Sequence, residues 1–150
     1  MIANLTATEY EALLRQDFST FAARCFYELN PQTELGVNWH LRVIAAKLAA
    51  VRRGQIRRLI INLPPRHLKS LMASIAFPAW CLGLDPSAQI LCISYAGELA
   101  DKLARDCRRI VMSDWFQQAF PTRLSAQRQA VGTSRRRLRA AGSPPPMAAC

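Results

Sequence analysis

The first third of the chain carries apolar residues at three- and four-residue steps, the spacing that places side chains on one face of a helix. A Thr6-x-x-Glu9 capping box precedes the first run, and Asn30-Pro31 ends it. A second helix is predicted from residue 38 to residue 53, with Gly54 as its stop signal. The apolar face of the first helix comprises Leu14, Phe18, Phe21, Cys25, Phe26 and Leu29.

Two short apolar runs, at residues 58–63 and 89–95, are typical of buried strands. Each is followed by a helical pattern, from residue 70 and over 96–113, and Pro78 must kink or end the first of these helices. Two strand-helix units in series predict an α/β fold with a parallel sheet, right-handed crossovers and flanking helices, preceded by the N-terminal helices.

The charge is uneven along the chain and sums to +10. The first 50 residues are close to neutral, and the last 50 carry ten basic against three acidic side chains. Such a gradient favours a polyanionic partner.

Five cysteines without a C-x-x-C pair indicate reduced thiols and no zinc pattern. No apolar run is long enough to span a membrane and no signal peptide is visible, so a cytoplasmic protein is expected.

The stretch "LIINLPPRHLKS" at residues 59–70 has the layout of a phosphate-binding loop: strand, turn, Lys-Ser, helix. Lys69 would reach the β and γ phosphates of ATP, and the Ser70 hydroxyl would hold Mg²⁺ at a helix N-terminus. The glycines of the usual pattern are missing, and Leu68 limits how closely a phosphate can approach. The alternative is an ordinary helix start with solvated side chains.

Several motifs together resemble the N-terminal ATPase domain of phage terminase large subunits, the motors that package DNA. They are an Asn-Trp-His element, the Pro-Pro-Arg-x-x-Lys-Ser loop, "FPAW", and a Ser-Tyr strand end before "ELADKLARDCR". The resemblance covers residues 18–124. It implies a P-loop NTPase-like sheet with a deviant Walker A loop, and it implies ATP, Mg²⁺, double-stranded DNA, a small terminase subunit and a portal as ligands and partners in a phage or prophage host cell.

The resemblance also implies roles for individual residues. Arg66 would be an arginine finger in cis, or else a phosphate contact or a solvated turn residue. Ser70 would bind Mg²⁺. Trp39 and its neighbours would contact adenine, or else Trp39 would be a core residue and His40 a helix cap. The nucleotide-binding residues implied are Asn38, Trp39, His40, Pro64, Pro65, Arg66, His67, Leu68, Lys69 and Ser70.

The chain contains no apolar strand ending in Asp-Asp or Asp-Glu, so the Walker B carboxylates that ATP hydrolysis needs are missing. Residues 132–150 lack any hydrophobic period, and a frameshift would explain the change. We therefore expect a helical region at 1–57, a partial ATPase core at 58–124 and a disordered basic tail at 125–150, with ATP bound weakly and hydrolysed negligibly.

Two other functions fit the sequence. One is a basic nucleic-acid-binding module, and the other is a fragment of a P-loop helicase, which rests on Lys69-Ser70 alone. The module would use Arg52, Arg53, Arg57, Arg58, Arg108 and Arg109.

Overall fold

The computed structural model describes residues 6–36 and 38–120. These residues form six α-helices and one π-helical segment, which precedes α4 directly. The tail predicted from residue 125 lies outside the described residues. The helices are α1 (Ala7–Gln16), α2 (Phe18–Leu29), α3 (Trp39–Arg52), the π-helical segment (Leu71–Ala76), α4 (Phe77–Leu84), α5 (Gly97–Met112) and α6 (Asp114–Ala119).

The predicted parallel sheet, and with it the P-loop NTPase-like α/β fold, is wrong. Residues 58–63 and 89–95 form no strand, and their backbones pair with no other backbone within 6–36 and 38–120. The apolar pattern of a run predicts that its side chains can be buried in a sheet, but it does not supply the neighbouring backbone that a strand requires. Ile60 and Ile93 are consequently 93% and 85% exposed, and Tyr95, which we expected to be buried, is 98% exposed.

The N-terminal helical region has one break that the apolar pattern conceals. The capping box is confirmed, because the Glu9 carboxylate accepts from the Thr6 backbone N–H at 2.8 Å and the Glu9 N–H donates to the Thr6 hydroxyl at 3.3 Å. The single helix predicted up to residue 29 is divided at Asp17. Its carboxylate accepts from the N–H groups of Ser19 and Thr20, so it caps a new helix, α2.

A hydrophobic core with aromatic rings at its centre joins all the helices. Phe18 and Phe21 of α2 lie at its centre, where the Phe18 ring is 5.2 Å from Trp80 and the Phe21 ring is 5.7 Å from Phe120. The Trp80 indole N–H donates to the Leu14 carbonyl at 3.1 Å, so the buried polar atom of this side chain is satisfied. Helices thus supply the burial that we expected from a sheet.

Pro78 lies within a continuous helical run that the π-helical segment makes compatible with proline. The Phe77 N–H donates to the Met72 carbonyl, five residues back. A π-helical turn of this kind re-pairs backbone groups near a residue that lacks an N–H. Lys69 and Ser70, which already have helical backbone, open this run.

The sequence predicts no membrane span. Within the ranges 6–36 and 38–120, no helix has both the length and the apolar character needed to cross a membrane.

Candidate functional site

Lys69 and Ser70 occupy the first helical turn after the loop, as the sequence predicted. The Met72 N–H donates to the Leu68 carbonyl at 2.9 Å, which is the first hydrogen bond of the run. Lys69 is half-buried, and its ammonium group donates to the Leu63 carbonyl at 3.3 Å. Ser70 is exposed. The Lys69 side chain therefore links the end of the loop to the residue just before its start.

The loop backbone takes an uncommon conformation at two residues. Arg66 has φ of 66° and Leu68 has φ of 56°, the left-handed region that favours glycine. Leu68 stands directly before Lys69, where the usual phosphate-binding pattern has glycine. The Leu68 side chain packs against the hydrophobic core, and this packing offsets part of the backbone strain. The loop thus adopts a glycine-like turn without glycine.

This turn leaves several backbone donors without protein acceptors. Among the described residues, the N–H groups of residues 66–70 donate to no backbone or side-chain acceptor. They precede a helix whose N-terminal end carries a partial positive charge. Arg66 and Lys69 add two cations, and neither is paired with a carboxylate within the described ranges. The loop is therefore suited to hold an anion with several oxygens.

The structure brings the upstream Asn-Trp-His element next to this loop. The ring centroids of His40 and His67 are 5.5 Å apart, and the Trp39 ring is 6.2 Å from His40. Trp39 is 77% exposed, so the alternative in which it is a core residue is wrong. Asn38 is the N-cap residue of α3 but makes no side-chain capping bond. The contact between His40 and His67 thus brings the start of α3 beside the loop at residues 64–70.

His67 is held by the loop itself. Its Nδ1 lies 2.9 Å from the Pro65 carbonyl oxygen. A carbonyl oxygen only accepts, so Nδ1 carries the proton and donates. The imidazole therefore has a fixed orientation relative to Pro65, and this orientation sets its approach to His40. Pro64 and Pro65 are exposed and form the outer part of the turn.

The residues fit Mg²⁺ only in combination with a nucleotide. Magnesium is typically bound by one or two carboxylates together with substrate phosphates. The described part of the chain contains no group of three or more His, Cys, Asp or Glu side chains able to hold a metal ion. The Ser70 hydroxyl would be one ligand, and the phosphates and water would provide the others.

Sequence reasoning missed a cleft of about 800 Å³ between α2 and α3, whose lining also includes residues of α1. Its rim carries Arg42 and Arg53, and its walls include Tyr10 and Tyr27. The signal in the sequence is the spacing of Arg42, Ala46, Ala49 and Arg53, which places the four on one helix face. The cleft itself depends on how α2 packs against α3, and the sequence of one helix does not reveal this.

Comparison of the chain with known protein families, with curated proteins and with solved structures gives no match.

Proposed function

We propose that the loop at residues 64–70 and the Asn38–His40 element together bind ATP, and that the chain is the ATP-binding portion of a DNA-packaging motor of the terminase type. The observation that carries the proposal is the left-handed Leu68 directly before Lys69 at a helix start. A leucine in this conformation costs of order 1–3 kcal/mol, and such strain concentrates at ligand-binding loops. Here it accompanies a row of backbone N–H groups, those of residues 66–70, that have no acceptor among the described residues.

The phosphate end of the nucleotide would lie against this row. A triphosphate carries dense negative charge, and the loop offers the helix N-terminus, the Lys69 ammonium group and the Arg66 guanidinium group. Lys69 would exchange its hydrogen bond with the Leu63 carbonyl for contacts to phosphate oxygens. Arg66 is exposed on the turn and would contact a phosphate. We also propose that it serves as the arginine finger in cis.

The base end would lie against the exposed Trp39. An indole face stacks on a purine ring, and the side-chain amide of Asn38 can pair with a base edge. The contact between His40 and His67 couples this side of the site to the loop. Motifs that are distant in sequence thus serve one ligand.

The proposal concerns binding, and hydrolysis is expected to be negligible. The sequence offers no Walker B carboxylate to position Mg²⁺ and no glutamate to orient a water molecule, a contribution typically worth 10²–10⁴-fold in rate. When bound with the nucleotide, Mg²⁺ would screen the phosphates, and Ser70 would orient it. Double-stranded DNA, a small terminase subunit and a portal are the proposed partners of the motor.

Tryptophan fluorescence tests the proposal through Trp39. Adenosine, AMP, ADP and ATP are each titrated with Mg²⁺ into the wild type and into Trp39→Phe. We expect a fluorescence change in the wild type whose affinity rises with the number of phosphates, and its loss in Trp39→Phe. Equal affinities for adenosine and ATP, or an unchanged signal in Trp39→Phe, would refute the proposal.

The basic nucleic-acid-binding module is the second candidate, favoured by one observation. Arg52, Arg53, Arg57 and Arg58 are all exposed around the end of α3. Such a cluster binds a phosphate backbone with a strong dependence on salt. Weak binding of DNA that does not change with salt concentration would count against this candidate.

A further inference from the structure

The cleft between α2 and α3 is open, charged at its rim and separate from the loop at residues 64–70. Its floor is formed by the two buried side chains of the lining, Phe18 and Ala45, and both are apolar. Arg42 and Arg53 stand at the rim, and both are exposed. An apolar floor between cationic edges can accept a ligand whose flat rings pack on the floor while its anionic groups contact the arginines.

The charge of the cleft is positive after its one acid is counted. Asp17 lies in the lining, but its carboxylate accepts from two backbone N–H groups and from the Thr20 hydroxyl, so it serves the start of α2. Arg24 also lines the cleft, but its guanidinium group lies 3.7 Å from the Glu28 carboxylate and over the Trp115 ring. Arg42 and Arg53 have no carboxylate partner among the described residues.

A second cleft of similar size serves as an internal comparison. It also measures about 800 Å³, and it is lined by residues of the segment 82–91, including Leu82, Ser87, Gln89 and Ile90, with no charged side chain. Size alone therefore does not bring arginines to a cleft of this protein. The cationic rim distinguishes the cleft between α2 and α3.

Two tyrosines complete the chemistry. Tyr27 is 44% exposed at the cleft, and Tyr10 is half-buried there. Aromatic rings beside cations are the groups on which single-stranded nucleic acids bind, because bases stack on the rings while phosphates contact the cations. A duplex hides its bases and would leave both rings unused.

The spacing of the arginines gives a length for the ligand. Arg42 and Arg53 lie on one face of α3 and its last turn, and eleven residues of helix span about 16 Å. A stacked strand rises about 3.4 Å per nucleotide. The backbone positions of the two arginines are thus separated by about the length of five stacked nucleotides. From the rim charge, the exposed ring and this spacing, we infer that the α2–α3 cleft binds a short single strand of nucleic acid.

Fluorescence anisotropy of fluorescein-labelled (dT)12 tests this inference on the full chain. The cleft variant is Arg42→Gln/Arg53→Gln, and the control is Lys102→Gln/Arg105→Gln, which removes the same charge from exposed positions of α5 outside the cleft. Loss of two phosphate contacts should lower the slope of log K against log salt by about 1.4, at roughly 0.7 per contact for single strands. The control should change the slope by less than about 0.7, half of the change expected for the cleft variant.

Stacking is tested separately. Tyr27→Leu should weaken (dT)12 binding by about 5- to 100-fold with an unchanged salt slope, and Tyr95→Leu, outside the cleft, should have no effect. Lys69→Ala should keep full (dT)12 affinity, which separates this site from the ATP site. Equal losses of (dT)12 binding in the cleft and control variants would overturn the inference. So would a loss of 12-base-pair duplex binding in the cleft variant as large as its loss of (dT)12 binding.

Discussion

The imidazole rings of His40 and His67 lie 5.5 Å apart with an angle of 59° between their planes, although α3 and the following non-helical segment separate them in the chain. His40 belongs to the first turn of α3, and His67 belongs to the loop that precedes Lys69. This contact joins the two segments that carry the proposed ATP site.

A double-mutant cycle measures this contact. His40→Ala, His67→Ala and the double variant are compared by urea unfolding, and we expect a coupling of about 0.5–1 kcal/mol, the lower range for aromatic pairs because His67 is exposed. Trp39→Ala with His67→Ala forms the control cycle, since no ring contact joins these two residues, and it should be additive. Additive effects in the His40–His67 cycle would show that the rings do not interact in solution.

The left-handed backbone at Arg66 predicts an unusual order of substitutions. Glycine relieves the strain of φ 66°, whereas a β-branched valine increases it, so Arg66→Gly should be more stable than Arg66→Val by about 2 kcal/mol. Arg58 is the control, because it is also exposed and its φ is not positive. There valine should be at least as stable as glycine. Equal stabilities of Gly and Val at position 66 would contradict the loop conformation.

Gly83 tests the packing of α4 against the end of the described chain. A Cβ atom at this position would lie 2.7 Å from Cδ1 of the Phe120 ring. Alanine normally favours a helix by about 1 kcal/mol over glycine, but here the clash should dominate and destabilise by about 1–3 kcal/mol. Gly97→Ala, with open space around it, should be neutral or stabilising. Thermal unfolding of both variants decides, and a stabilised Gly83→Ala would exclude this position of Phe120.

Cys107 makes stability depend on alkaline pH. Burial, with a smaller contribution from the neighbouring Cys92, raises the pKa of Cys107 to about 12. The thiol stays protonated in the folded state while the unfolded chain releases its proton near the ordinary thiol pKa of about 8.5. The stabilisation is therefore fully present below about pH 8 and is lost as pH rises toward 12.

Urea unfolding at pH 7.5 and pH 10 should show this loss in the wild type and a smaller loss in Cys107→Ala. Other groups that titrate in this range, such as Tyr10, whose pKa is raised by burial, are present in both proteins and cancel in the comparison. The same pH dependence in both proteins would contradict the burial of this thiol.

Helices could be predicted from the sequence where periodicity and caps agreed. The pattern around Leu41, Ile44 and Leu48 gave α3 almost to the residue, since Gly54 takes the positive φ of a stop position. The break at Asp17 escaped because the apolar step from Leu14 to Phe18 continues across it. A capping carboxylate and a solvated helical aspartate look the same in sequence.

The sheet could not be judged from Leu59, Ile61 and Leu63 alone. Their alternation does bury one side, since these three pack against the core while Ile60 is exposed. Whether another backbone lies alongside is a tertiary question, and the aromatic helical core took the place of the sheet. The position of Lys69 was predictable from the layout of the loop, but a left-handed Leu68 was not, because leucine rarely adopts that conformation.

The binding of ATP by Lys69 is the central claim, and equilibrium dialysis with radiolabelled ATP and Mg²⁺ measures it directly. Lys69→Ala is compared with the wild type and with Lys47→Ala, which removes an exposed lysine of α3. Loss of a charge-assisted hydrogen bond costs about 1.5–3 kcal/mol, so Lys69→Ala should bind about 10- to 100-fold more weakly while Lys47→Ala binds like the wild type. Equal binding by all three proteins, or no binding by the wild type, would contradict the claim.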